Sequence, residues 1–348
     1  MILPLETFRG IFALIIVLHH LKIETFIQKS NLIINGGLVV DFFFVLSGFV
    51  ISLNYIDKIN SKSDLINFQK KRFLRLYPLH ILTLFVFILI EIIKLIVENY
   101  TNLRSTYAPF SGFNSYYSLV ANFFLLHGWY GWSFNLPSWS ISTEFYTYLI
   151  FALAVLNAKN KLYFFILFII LSLILFIINN LGYKYLDNFV YPARCIYSFF
   201  LGTLTFLIYK KYKQNFSQFI CFVLIIFSFL FINYSDSLSL NNKYIFAPLL
   251  FSLTVLFVSC LNHNSVLHKI LSNKYTVYLG AISYGVYMIH FGLVWFFRQF
   301  CRFALNISER DNYLVFDNYI GEILTLIFII IIIYLSHLSL KYFERRFR

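Results

Sequence analysis

Apolar positions along this chain run together in blocks near the roughly 20 residues that an α-helix needs to cross a bilayer. The blocks fall at 5–23, 36–55, 77–97, 137–157, 162–180, 190–209, 217–234, 244–261, 275–297 and 319–340. They predict an all-α polytopic membrane protein with about ten transmembrane helices. A shorter run, SLVANFFLLHGW at 118–129, is too brief to cross and predicts an interfacial or re-entrant helix. The longest stretch between spans, 98–136, is rich in Tyr, Trp, Asn and Gly. Two readings of it stay open: the usual aromatic belt at a membrane boundary, or an outer surface that binds sugars by stacking.

Composition agrees with membrane solvent. The chain is 60% hydrophobic and 12% charged, with mean hydropathy +0.75, 44 Phe and 26 Tyr, far from soluble norms. No internal repeat, Gly/Ser linker or fused soluble domain is visible, so residues 1–348 are expected to form one integral-membrane domain. The first span lacks a basic segment before it and a small-residue cleavage site after it, and is expected to stay in place. Lysine and arginine concentrate in alternate loops, most densely in the Lys58, Lys62, Lys70, Lys71, Arg72 and Arg75 group after the second span. The positive-inside rule then predicts cytoplasmic N- and C-termini. The net charge of +13 reads as this topological signal plus attraction to anionic membrane lipids; nothing points to nucleic acid. The four cysteines have neither metal nor redox spacing and read as small packing residues, and no metal site is expected.

Polar residues inside the spans carry the functional information, because an ionisable group there is costly and usually faces a bundle interior or watery cavity. Arg9 and His20 are eleven positions apart in the first span. At about 100° and 1.5 Å per residue, they share one helix face about 16 Å apart, while the adjacent His19 points about 80° away. The second span, GGLVVDFFFVLSGFVIS, holds Asp41 and the step Ser47, Gly48, Phe49; a small Ser-Gly step also permits close helix packing. Arg72 and Arg75 in QKKRFLRLYPLHILTL lie three apart on one helical face, and paired guanidinium forks suit phosphate. Glu144 opens the fourth span amid Ser140, Ser142, Thr143 and Tyr146, and His290 stands in the middle of the ninth. A lone His in an apolar run is often a hydrogen-bonded core residue, which ranks His290 below His20.

In order, Arg9 with His20, VDFFFVLSGF (40–49), KRFLRLYP (71–78), PSWSISTEFY (137–146) and SYGVYMIH (283–290) make the chain resemble the membrane-bound acyltransferase-3 family. These are bacterial proteins that O-acetylate cell-surface glycans and related acceptors. The resemblance covers nearly the whole chain and implies a multi-pass O-acetyltransferase of the bacterial inner membrane. Its functional residues map to Arg9, His20, Arg72 and Arg75, and its usual donor substrate is acetyl-coenzyme A from the cytoplasm, with no permanently bound cofactor. On this reading Arg9, Arg72 and Arg75 hold the donor, and His20 takes the acceptor's hydroxyl proton, since an unperturbed imidazole is largely neutral at physiological pH. Asp41 and Glu144 are the carboxylates available to orient it, and a transient acyl-His is the competing mechanism. Some relatives carry a fused extracytoplasmic hydrolase-like domain. Here transfer to a glycan or lipid-linked saccharide is expected to finish in the membrane domain or through a separate extracytoplasmic partner. The alternative from another class is a proton-coupled transporter or glycan flippase, which would have no reason to bind coenzyme A.

Overall fold

The computed structural model describes residues 2–347 apart from 103, 106, 131–132, 158–159, 183–186, 213–215, 239 and 317–318. Positions 103, 106 and 131–132 of the 98–136 stretch therefore lie outside the described residues. In chain order the helices are α1 (Leu3–Leu21), α2 (Asn31–Ile34), α3 (Val39–Tyr55), α4 (Lys62–Tyr100), α5 (Tyr116–Phe123), α6 (His127–Tyr130), α7 (Trp139–Asn157), α8 (Lys161–Asn180), α9 (Asp187–Tyr212), α10 (Gln218–Tyr234), α11 (Leu240–Ser259), α12 (Val266–Leu271), α13 (Lys274–Ala304) and α14 (Ile320–Leu338). Ten of the helical segments, those containing α1, α3, α4, α7, α8, α9, α10, α11, α13 and α14, are long and apolar enough to cross a membrane. The all-α expectation holds but for a two-residue hairpin, β1 (Glu309–Arg310) with β2 (Tyr313–Leu314).

Two elements differ from the block pattern. The third span is the end of a 39-residue helix that begins at Lys62, capped by the Ser61 hydroxyl accepting from Asp64 N. The basic QKKR run thus lies within the same helix as the span, and Pro78 is inside it. The short 118–129 run breaks into α5 and α6, separated by Leu125 in the left-handed backbone region (φ 56°).

Loops alternate between the two ends of the bundle. At one end Lys210 pairs with Asp57, Lys161 donates to Ile56 O, and the Thr7 hydroxyl donates to Leu271 O. At the other, Leu314 N donates to Lys22 O, and Asn35 donates to Asp236.

Glycines fix the two closest helix crossings. A Cβ on Gly48 would lie 1.9 Å from Phe199 O, and one on Gly202 would lie 1.9 Å from Val45 O, so α3 and α9 touch backbone to backbone. Gly10 and Gly280 do the same for α1 and α13, where a Cβ on Gly280 would meet Glu6 O at 2.1 Å. In lipid, where apolar surface gains nothing by leaving the solvent, such close approach supplies much of the association. The four cysteines are buried and form no disulfide.

Candidate active site

The α1–α13 pair carries the first half of the site. His20 and His290 meet across it, with His290 Nε2 3.2 Å from His20 Nδ1 and ring centroids 5.2 Å apart. Their hydrogen-bond partners fix the tautomers. His290 Nδ1 lies 3.1 Å from Val286 O, and a carbonyl only accepts, so this nitrogen carries the proton and Nε2 carries the lone pair. His20 Nδ1 lies 3.0 Å from Ile16 O and faces that lone pair, so it is also the protonated nitrogen, shared between two acceptors. The free lone pair of His20 is left on Nε2. His19 is occupied elsewhere: its Nδ1–H donates to Ile33 O at 2.9 Å and ties the end of α1 to α2.

The second half is a cavity of about 130 Å³ among α1, α3, α4, α7 and α13. Arg9, Arg72 and Arg75 line it, with Glu144, Ser47 and the tyrosines Tyr148, Tyr284 and Tyr287. The four charged side chains and Ser47 singled out in the sequence are thereby brought together. Arg9 is held by Glu6 one turn back, at 3.0 Å. Arg72 donates to the Tyr55 hydroxyl and lies over the Tyr55 and Phe68 rings, while its buried Nε has no partner among the described residues. The Tyr148 hydroxyl donates to Glu144 Oε1, and Ser47 in turn donates to Tyr148 at 2.7 Å. A partly buried guanidinium with an unpartnered Nε beside an exposed one is the donor set that an oxyanion of a phosphate matches.

Neither His20 nor His290 borders this cavity. Tyr287 does, and its ring is 6.0 Å from the His290 ring, one helical turn away.

Other expected residues fall outside this constellation. Asp41, expected to steer His20, is fully buried and committed to Arg194, with Nε–Oδ1 at 2.7 Å and Nη2–Oδ2 at 2.9 Å. Ser198 adds a longer bond to it at 3.4 Å, so this carboxylate serves the α3–α9 contact rather than an imidazole. Gly48 serves that same crossing, and Phe49 packs against Phe206 and Tyr209. Glu144 sits with the arginines and has Tyr148 as its hydrogen-bond donor. The orienting partner of His20 is His290, which sequence reasoning had ranked lower.

Arg194 was also overlooked. An arginine within a span needs a buried counter-charge, and Asp41, in the other span of that crossing, was the available one. Tyr287 in SYGVYMIH had no such signal, since its role comes only from where α13 meets the cavity.

Ten candidate spans among the described residues, with an imidazole pair beyond a guanidinium-lined cavity, define a polytopic membrane protein. Residues 3–340 match the acyltransferase-domain model Acyl_transf_3, so the chain belongs to that family. Over 123 residues it is 32% identical to acyltransferase MdmB of Streptomyces mycarofaciens, a match spanning 34% of this chain and 28% of the relative's length. No solved structure shows significant similarity.

Proposed function

We propose that this acyltransferase moves an acetyl group from acetyl-coenzyme A to a hydroxyl of a cell-surface or lipid-linked glycan, in the bacterial cytoplasmic membrane. The end of the bundle that carries Arg72 and Arg75 faces the cytoplasm, where the donor is made. Their guanidinium groups take the phosphates of coenzyme A, and Arg9 lies farther along the same cavity.

In the transfer step His20 Nε2 accepts the proton of the acceptor hydroxyl as its oxygen attacks the thioester carbonyl. Collapse of the tetrahedral intermediate breaks the C–S bond, and the imidazolium returns the proton to the departing thiolate. His290 keeps His20 in the reactive tautomer and shares the positive charge as it forms, the task that a carboxylate performs in hydrolytic triads. The observation that carries this reading is the relay from His20 to His290 to Val286 O, which leaves one imidazole lone pair uncommitted, with Tyr287 between the pair and the guanidinium-lined cavity.

The test is transfer of radiolabelled acetyl from acetyl-coenzyme A in membranes holding endogenous glycolipid, with wild type, His20→Ala and Arg75→Ala at matched abundance. Label entering a glycan fraction with wild type, abolished by His20→Ala, supports the reading; Arg75→Ala should raise the donor concentration needed about tenfold, as for one lost charge-assisted contact. Equal labelling by wild type and His20→Ala removes His20 from the chemistry. No labelling by folded wild type removes acetyl-coenzyme A as donor or a glycan as acceptor.

A further inference from the structure

A second cavity, of about 260 Å³, lies between the outer part of α4, the 107–114 segment and α13, at the opposite end of the bundle from Arg72. Its walls are aromatic, with Phe87, Phe291 and Trp295 on the helices, and Tyr107 and Phe113 stand largely exposed at its rim. Polar side chains stand among them: Glu91 and Lys94 on α4, Ser111 and Asn114 on the 107–114 segment, and Ser133. Glu91 is 2% exposed and acts as a buckle: it accepts from Lys94 on its own helix, from the Phe110 N–H at 2.9 Å and from Asn114 Nδ2 at 2.7 Å. A buried carboxylate thereby pins the outer segment across the cavity.

Phe291 is the wall this cavity shares with the histidine pair. Its ring lies 5.5 Å from the His20 ring, edge to face, and 6.1 Å from Phe87 on the cavity side. The guanidinium-lined cavity approaches the same pair from the other direction, through Tyr287.

We infer that this outer cavity is the acceptor site, and that its ligand is a single uncharged saccharide ring which presents one hydroxyl to His20 past the edge of Phe291. The inference deepens the function proposed above and rests on it. Aromatic faces match the C–H face of a pyranose, and the interspersed polar side chains match its hydroxyls. The carboxylate is already spent on Lys94, Asn114 and backbone, so the site offers no uncompensated charge to a charged sugar. The volume lies just under the roughly 300–1,000 Å³ of sites for drug-sized ligands, which suits one ring with the rest of a glycan outside.

The test places a cysteine at the rim, as Ser111→Cys or Phe113→Cys, in membranes holding endogenous glycolipid. The four native cysteines are buried, so a membrane-impermeant maleimide reports on the new thiol, and each variant before treatment is its own reference. The expected result is an acetyl transfer about tenfold lower after modification, with binding of radiolabelled coenzyme A unchanged. Trp295→Ala, which needs no reagent, should give the same split. Transfer that survives both modification and Trp295→Ala overturns the inference, as it would if a lipid tail filled the cavity. Loss of coenzyme A binding together with transfer also counts against it. Absence of any transfer by wild type removes the proposed function itself, which separates that failure from this one.

Discussion

His290 follows His20 by 270 positions, the same offset that separates Gly280 from Gly10. The α1 and α13 helices thus run in step for ten residues, from a crossing where no side chain fits to an imidazole pair 3.2 Å apart. Ala13, Val17, Ile282 and Val286 fill the interval as one buried apolar cluster. The glycine contact sets the separation of the helices, and that separation sets the hydrogen bond.

Removing either histidine should affect rate in different ways. On the proposed mechanism His20→Ala deletes the base, and the acetyl-transfer rate is expected to fall by about 10²–10⁴-fold. His290→Ala leaves the base without its partner and should lower kcat with the KM for acetyl-coenzyme A unchanged. His290→Gln, which keeps an acceptor near His20 Nδ1, should recover part of the loss, whereas a merely structural His290 would not distinguish Ala from Gln. Steady-state kinetics on the three variants decides this.

The helix crossing is open to a one-atom test. A Cβ on residue 280 would lie 2.1 Å from Glu6 O, a backbone atom that cannot swing away. Gly280→Ala should therefore force α13 from α1 and cost about 1–3 kcal/mol, in the range of overpacked interiors. Activity should fall further than thermal stability in detergent alone explains, because the histidine bond lengthens as well. Unchanged activity would show that the crossing does not position the pair.

Asp41 and Arg194 are expected to behave as a structural pair. Their side chains are 0% and 4% exposed, and each would leave the other as a buried, uncompensated charge. Asp41→Asn should destabilise the protein by about 3–5 kcal/mol, and a double change to apolar residues of similar volume should restore most of it. The thermal midpoint of the single and double variants in detergent is the readout. A fully stable but inactive Asp41→Asn would instead make Asp41 a participant in the chemistry.

Acid sensitivity should arise at the outer shoulder. Burial, aided by the His80 ring stacked 5.0 Å away, pushes the His127 imidazole down to about 3. Its Nε2–H donates to Ser138 O at 3.0 Å, which the neutral ring can do. An unfolded histidine titrates near 6.5, so as pH falls below about 6.5 the unfolded chain takes up a proton that the folded chain refuses. Stability is then lost progressively towards the folded value, at about 1.4 kcal/mol per pH unit for this group. His127→Gln should flatten that part of the profile, measured as thermal midpoint against pH in detergent; an unchanged slope would place the acid sensitivity elsewhere.

What could be read from the chain in advance is what the bilayer imposes on any sequence. A span must be apolar for about 20 residues, so all ten announced themselves by length and hydropathy, with ends shifted where a helix extends into water, as α4 does back to Lys62. The same solvent makes a buried charge expensive, so Arg9, His20, Asp41, Glu144 and His290 stood out as residues needing a reason. The sequence by itself therefore determined the architecture and a short roster of polar groups. It could not pair them, because hydropathy carries no record of which helix lies beside which. Tertiary structure decided that Asp41 meets Arg194 rather than His20, that His290 rises from a core residue to the hydrogen-bond partner of His20, and that Phe291 stands between His20 and the second cavity. Each pairing follows from where glycine lets two backbones touch, a contact between residues as much as 270 positions apart.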